Sequence, residues 1–233
     1  MIPRASRIAI RSGFSLGVSR LARRSTGLLV LLGAALAVTG ALIERRVTPV
    51  ESTDRALEAT FAFLVPLVTF ALVAQLTGRI HLADRAYRVA RFGVARRDVA
   101  LGLVGAGVAF SIAASAGMAL FTVLVAGEGS VAQQATEVFT TSGIAALSAA
   151  AYAAWFSFGA TFWSRGSGRF VPLALDFALR GSAGALAFSL PRAHVDNLLG
   201  VVASIDVSPR VSSAALAVIA VALSLLASLR CGE

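Results

Sequence analysis

Few side chains in this 233-residue chain can do chemistry, and their spacing narrows the field further. Cys231 is the only cysteine, and His81 and His194 are the only histidines. No disulfide can form within the chain and no group has metal-ligand spacing, so no metal or other cofactor is expected in it. Gly13-Phe14-Ser15-Leu16-Gly17 matches G-x-S-x-G, the turn that presents a nucleophilic serine. That turn needs a strand before it, a helix after it and a base in reach. Here it lies in a basic segment ahead of an apolar run, with His194 expected at the other membrane face. Chance in a Gly- and Ser-rich chain accounts for it better.

Two charged sets remain. Asp176 and Arg180 lie four residues apart, acid first, inside the apolar run 170–190. That order favours a side-chain pair on one helix. A charge at mid-span costs about 2.5–3.5 kcal/mol on insertion scales, so the two residues read either as part of a transport path or as a self-neutralising structural pair. The second set is RAYRVARFGVARRDVALG, residues 85–102. Arg85, Arg88 and Arg91 recur at i, i+3 and i+6, which places them along one side of a short helix, with Ala83, Tyr87 and Ala90 on the other. Phe92 and a break at Gly93 follow. Cations beside aromatic rings make a docking face for a protein, and the same arginines would orient the chain and bind anionic lipid.

The elements that hold these residues follow from composition. Hydrophobic residues make up 57% of the chain, charged residues only 14%, and the mean hydropathy is +0.81. Those values lie outside the range of soluble domains and predict an all-α membrane protein. A helix needs about 20 apolar residues to cross a bilayer. Runs that qualify are 25–43, 59–78, 99–127, 138–164 and 211–229, with 170–190 a sixth that carries the Asp176/Arg180 pair. Six transmembrane helices are therefore expected in a single domain, 1–233. Residues 4–24 form an N-terminal amphipathic helix, with Ile10, Phe14, Val18 and Leu21 as its apolar stripe. Between spans two and three lies the loop 79–98. Residues 191–209 are too short and charged to cross and return, and their Leu198, Leu199, Val201, Val202 and Ile205 predict a short outer helix.

All 21 basic residues are arginine, and the net charge is +9. They flank apolar runs, so phospholipid headgroups rather than nucleic acid are the expected anionic partner. With both termini placed in the cytoplasm, fifteen arginines fall inside and five outside, Arg180 being left in the membrane. This is the asymmetry of the positive-inside rule. A basic stretch before an apolar run is also how a signal peptide starts. Glu44 follows the first run without a clear small-residue cleavage site, so a retained span is expected. The Ala, Gly, Val and Arg bias indicates a GC-rich bacterial gene, and hence the bacterial inner membrane.

This order of parts resembles the permease subunits of type-2 ATP-binding-cassette exporters: a basic interfacial helix, two spans, a cytoplasmic coupling helix, three spans, an outer helical segment and a last span. FGVARRDVALG is similar to the family's stretch in which a small residue and arginines precede a span-opening Leu-Gly. The resemblance implies that 80–92 is the coupling helix between spans two and three. Arg85, Tyr87, Arg88, Arg91 and Phe92 would then face a cytoplasmic ATPase subunit, and 191–209 would match the family's outer re-entrant helices. It further implies a second permease subunit, in a homo- or heterodimer. The acidic and Gly-Thr residues found at the start of many coupling segments are absent, His81 and Asp84 being the nearest polar analogues. No G-x-x-x-x-G-K-[ST] loop occurs, and none is possible without lysine, so ATP hydrolysis is expected in a separate subunit and the chain is not expected to be an enzyme. The rival reading is a small six-span secondary transporter, or a membrane scaffold, with no ATPase partner. Pro66 and Pro172, early in spans two and five, keep an echo of the broken helices such transporters use.

Overall fold

The computed structural model describes residues 4–47, 51–127, 130–201 and 205–232, without the Ser164 side chain. Regular structure among the described residues is entirely helical. An amphipathic helix α1 (Arg4–Leu21) precedes α2 (Arg24–Val47). Next come α3 (Ser52–Ala59), a π turn at Thr60–Leu64 and α4 (Val65–Thr77), which together form one long helix. The short α5 (Leu82–Ala90) leads to α6 (Arg96–Ala126) and α7 (Val131–Gly159). After an irregular turn the chain continues through α8 (Phe170–Ala178), α9 (Ala185–Phe188) and α10 (Pro191–Leu198) to α11 (Pro209–Gly232).

Among the described residues five helices are long and apolar enough to cross a membrane: 24–47, 52–77, 96–126, 131–159 and 209–232. Each extends past its charge-free run because polar ends can stay helical where backbone groups are capped. At the start of α7, for example, Ser130 Oγ accepts from Gln133 N–H while Gln133 Oε1 accepts from Ser130 N–H. This capping box makes most of the expected 128–137 loop helical. Exposed Leu28, Leu31, Leu32 and Leu36 line the outside of α2, a surface that belongs in lipid.

The expected sixth helix, 170–190, is not continuous. After α8 the chain turns at Leu179, and Gly181 and Gly184 take positive φ values of 82° and 72°. Glycine tolerates this region and other residues resist it, so Gly-Ser-Ala-Gly at 181–184 is where the helix breaks. Helix α7 ends beside Thr161, whose carbonyl accepts from Arg230 near the end of α11. The start of α11, about 36 Å away at 1.5 Å per residue, therefore lies at the opposite end of the bundle. Residues 160–201 and 205–208 lie along that distance in short pieces, and positions 202–204, with Val202 of the expected outer helix, lie outside the described residues.

Helix α6 is the hub, touching α1, α2, α3, α4, α5, α7 and α11. Its buried faces are rich in small residues, among them Ala100, Gly102, Ala106, Gly107, Ser111, Ala114 and Ser115. In lipid, helices gain by close van der Waals approach rather than by hydrophobic transfer, and small residues permit it. Helix α1 uses this rule. Its buried face is Ala9, Gly13, Gly17 and Leu21, not the expected Ile10, Phe14, Val18 and Leu21 stripe, and Phe14 is exposed. A Cβ on Gly13 would run into the Val99 carbonyl, and one on Gly102 into the Ile10 carbonyl. The glycines of the apparent nucleophile motif are thus a packing seam, and Ser6 Oγ fixes its start by donating to Asp98 Oδ2 at 2.7 Å.

Overpacking this seam should cost about 1–3 kcal/mol or more. We expect Gly13→Leu and Gly102→Leu each to lower the thermal unfolding midpoint in detergent. Gly40→Ala, which meets no atom within 4 Å, should leave it unchanged or raise it. Equal midpoints for all three variants would rule out the seam.

Candidate functional site

Two places gather functional side chains, one inside the bundle and one at its arginine-rich end. The inner one begins with a backbone fault. Pro66 has no N–H, so the carbonyl of Ala62, four residues back, loses its helical partner. The backbone widens there into the π turn, and Val65 N–H donates to Thr60 O. Arg192 of α10 fills the gap: its Nη2 donates to Ala62 O at 2.7 Å.

The same guanidinium holds Asp176, donating from Nη2 at 2.6 Å and Nε at 3.1 Å to Oδ2. Tyr152 OH of α7 donates to Oδ1 at 2.8 Å. Asp176 and Arg192 are 0% and 5% exposed, and rings of Tyr152, Phe156, Phe70 and Phe177 surround the group. Charged groups there survive because each oxygen of the carboxylate is engaged and the two charges cancel. Four separate elements meet at this point: the π turn, α7, α8 and α10.

The expected Asp176–Arg180 pair does not form. Arg180 follows the end of α8, where the helix has already turned, so the i+4 geometry is lost. It reaches instead toward Glu58 at 3.9 Å and over the Phe63 ring, half-exposed. Arg192 was hidden from sequence reading because it sits near a proline outside the apolar runs and counts as a loop charge. Only its place one residue after Pro191 and two before His194, in a segment with apolar neighbours, hinted at burial.

A second polar chain ties α10 to α11. His194 Nε2–H donates to Phe188 O at 2.8 Å, and its Nδ1 lies 3.3 Å from Ser212 Oγ, which accepts from Asn197 Nδ2 at 2.9 Å. The serine beside His194 is Ser212, and among the described residues Ser15 is not a partner of either histidine. Among the described residues no group of His, Cys, Asp or Glu could hold a metal ion, and Cys231 is buried. The chemistry available at the inner site is holding, not bond-making: both carboxylate oxygens are already occupied.

At the other place, α5 is seated firmly. His81 caps it, Nδ1 accepting from Ala83 N–H at 3.2 Å while Nε2–H donates to Thr161 O at 2.6 Å. Leu82, Ala83, Arg85 and Ala86 are buried. Arg85 is therefore no docking cation. It is 5% exposed, and its Nη2 donates to Thr77 O at 2.6 Å, capping α4. Arg169 joins it, Nη1 donating to Thr77 Oγ1 at 2.6 Å and to Gly78 O at 2.8 Å. Cations at a helix C-terminus meet the negative end of its dipole. The exposed face of α5 and the turn after it holds Asp84, Tyr87, Arg88, Arg91 and Phe92, so Tyr87 lies with the arginines rather than opposite them. Phe92 is 75% exposed and Arg91 stacks on it at 4.9 Å.

Comparison with protein-family models, with curated proteins and with solved structures finds no match to this chain.

Removing one member of the buried pair leaves the other charge uncompensated, at a cost of about 3–5 kcal/mol. Arg192→Met should accordingly lower stability in detergent strongly, and Arg192→Met with Asp176→Leu should recover part of the loss, the Ala62 carbonyl and the Tyr152 hydroxyl staying unpaired. Tyr152→Phe should cost about 1 kcal/mol. A double variant as unstable as the sum of the singles would show that the two side chains are not coupled.

Proposed function

We propose that the chain is the membrane-spanning permease subunit of an ATP-driven exporter in the bacterial inner membrane. It pairs with a second permease subunit, and a separate ATPase docks on α5. The observation that carries this reading is the build of α5. One face is locked to the bundle by His81, Arg85 and buried Leu82 and Ala86, while the other offers Tyr87, Arg88, Arg91 and Phe92 to the surroundings. A helix that only marked topology would need the charges but not the anchoring.

Helix α4 supplies the transmission. Arg85 grips its last turn at Thr77, and the Ala62 carbonyl held by Arg192 lies just ahead of its first turn. Thirteen residues, about 20 Å of helix, join the two. A push on α5 would shift α4 and strain the bond to Arg192, loosening α8 and α10 from the π turn. In this reading residues 160–208 complete a sixth crossing in pieces, both termini are cytoplasmic, and substrate passes by alternating access at the subunit interface.

The broken segment favours a second reading, a secondary transporter with its site at mid-membrane. Dependence on ATP separates the two. The protein tagged in its native membrane should co-purify with a P-loop ATPase, and Tyr87→Ala with Arg91→Glu should reduce that recovery at least tenfold at equal expression. If the wild type brings no ATPase, or the variant retains it fully, the docking role of α5 fails.

A further inference from the structure

Several arginines at the α5 end of the bundle are engaged by neighbouring groups. Arg85 and Arg169 cap α4, Arg230 donates to Thr161 O and covers Phe162 at 4.0 Å, and Arg91 covers Phe92. Arg20, Arg23 and Arg88 are held by no such bond, although Arg20 and Arg88 lie in the last turns of α1 and α5, where the helix dipole favours a cation. They converge from the end of α1, the α1–α2 turn and α5, and among the described residues none makes an ion pair or a side-chain hydrogen bond. Asp84, one turn before Arg88 on α5, does not pair with it.

The group is tightly drawn. Arg85 Nη2 and Arg20 Nη1 lie 2.9 and 3.9 Å from the point where a Cβ on Gly78 would stand. Burial and then the charges of Arg23 and Arg88 hold the Arg20 guanidinium below its ordinary pKa, and burial with Arg20, Arg88 and Arg23 pulls Arg85 down to about 10. Like charges so placed repel one another unless an anion lies among them. A second observation points the same way: Arg85 is 95% withdrawn from solvent, being 5% exposed, yet its Nε–H is buried with no acceptor. Buried donors are seldom left unpaired, and an oxyanion would satisfy this one once a small shift of the Arg85 side chain uncovers it. The first turn of α2, starting at Arg24, adds the positive end of a helix dipole.

We infer that Arg20, Arg23 and Arg88, with Arg85 beneath them, form a binding site for a phosphate group. Guanidinium forks suit phosphate oxygens, each able to donate two parallel hydrogen bonds. The neighbouring surface favours a phospholipid as its bearer: Leu28, Leu31 and Leu32 of α2 are exposed one to two turns from Arg24, where acyl chains would run. This site shares Arg88 with the docking face at Tyr87, Arg91 and Phe92, but Arg20 and Arg23 lie outside that face, and the site stands whether or not an ATPase binds there.

The test is thermal unfolding of the full chain in a non-ionic detergent. Dioctanoyl phosphatidylglycerol, dioctanoyl phosphatidylcholine and inorganic phosphate are titrated separately. Wild type should be stabilised by phosphatidylglycerol well before phosphatidylcholine, and each of Arg20→Gln, Arg23→Gln and Arg88→Gln should weaken the response roughly tenfold. Arg210→Gln, at the other end of the bundle, should respond as wild type does. Arg88 is exposed, so its single variant tests the site without threatening the fold. Stabilisation by inorganic phosphate alone, lost in the same variants, would support the site and identify a soluble phosphorylated ligand instead of a lipid. No shift with any of the three, or equal shifts in wild type and in the Arg20, Arg23 and Arg88 variants, would overturn it.

Discussion

A carbonyl without a partner governs the architecture. Backbone polar groups in an apolar medium must be satisfied within the protein, because no water is there to accept or donate. Pro66 breaks that rule for Ala62, and the guanidinium of Arg192 restores it. The repair brings a charge into the bundle, the charge demands Asp176, and Asp176 holds α8 against α7 through Tyr152. This group ties the broken stretch from 170 to 198 to the rest of the bundle, Asp176 to α7 and Arg192 to the π turn. Had Arg192 been absent, both the proline and the aspartate would be faults rather than features.

The two ends of α4 are held by arginines for opposite reasons. At its start Arg192 replaces a missing hydrogen-bond donor. At its end Arg85 and Arg169 satisfy carbonyls that any helix leaves open. Burial depresses the pKa of Arg169, as it does that of Arg85, so both caps carry charge at a desolvation cost that their hydrogen bonds offset. A short helix held at its start by one arginine and at its end by two is a rigid link between the segments that own those side chains.

How much of this was legible follows from the range of each interaction. Long apolar runs report on lipid directly, and five of the six expected spans are continuous helices. The amphipathic α1 and a short helix at 82–90 were also readable, since periodicity is local. Partners were not. Asp176 was matched with Arg180 because they are neighbours on an ideal helix, whereas Gly181 and Gly184 end that helix and Arg192 arrives from another element. Arg85 was grouped with Arg88 and Arg91 by spacing, yet helix α5 turns Arg85 toward Thr77. In α1 the larger residues were read as an apolar stripe for the membrane interface, and the face that packs on α6 is made by smaller ones, because close packing in lipid rewards the absence of side chains.

The crossing of α1 and α6 also has a history in synthesis. Ser6 and Asp98 meet across 92 residues of chain, and the glycine seam beside them closes only when both helices are present. At roughly 5–20 residues per second, α1 would wait on the order of ten seconds for the surface that buries it. Before α6 exists, α4 and α5 supply only a minor part of the surface that finally packs on α1. The rest of its packing face is left to the bilayer surface until α6 has been made.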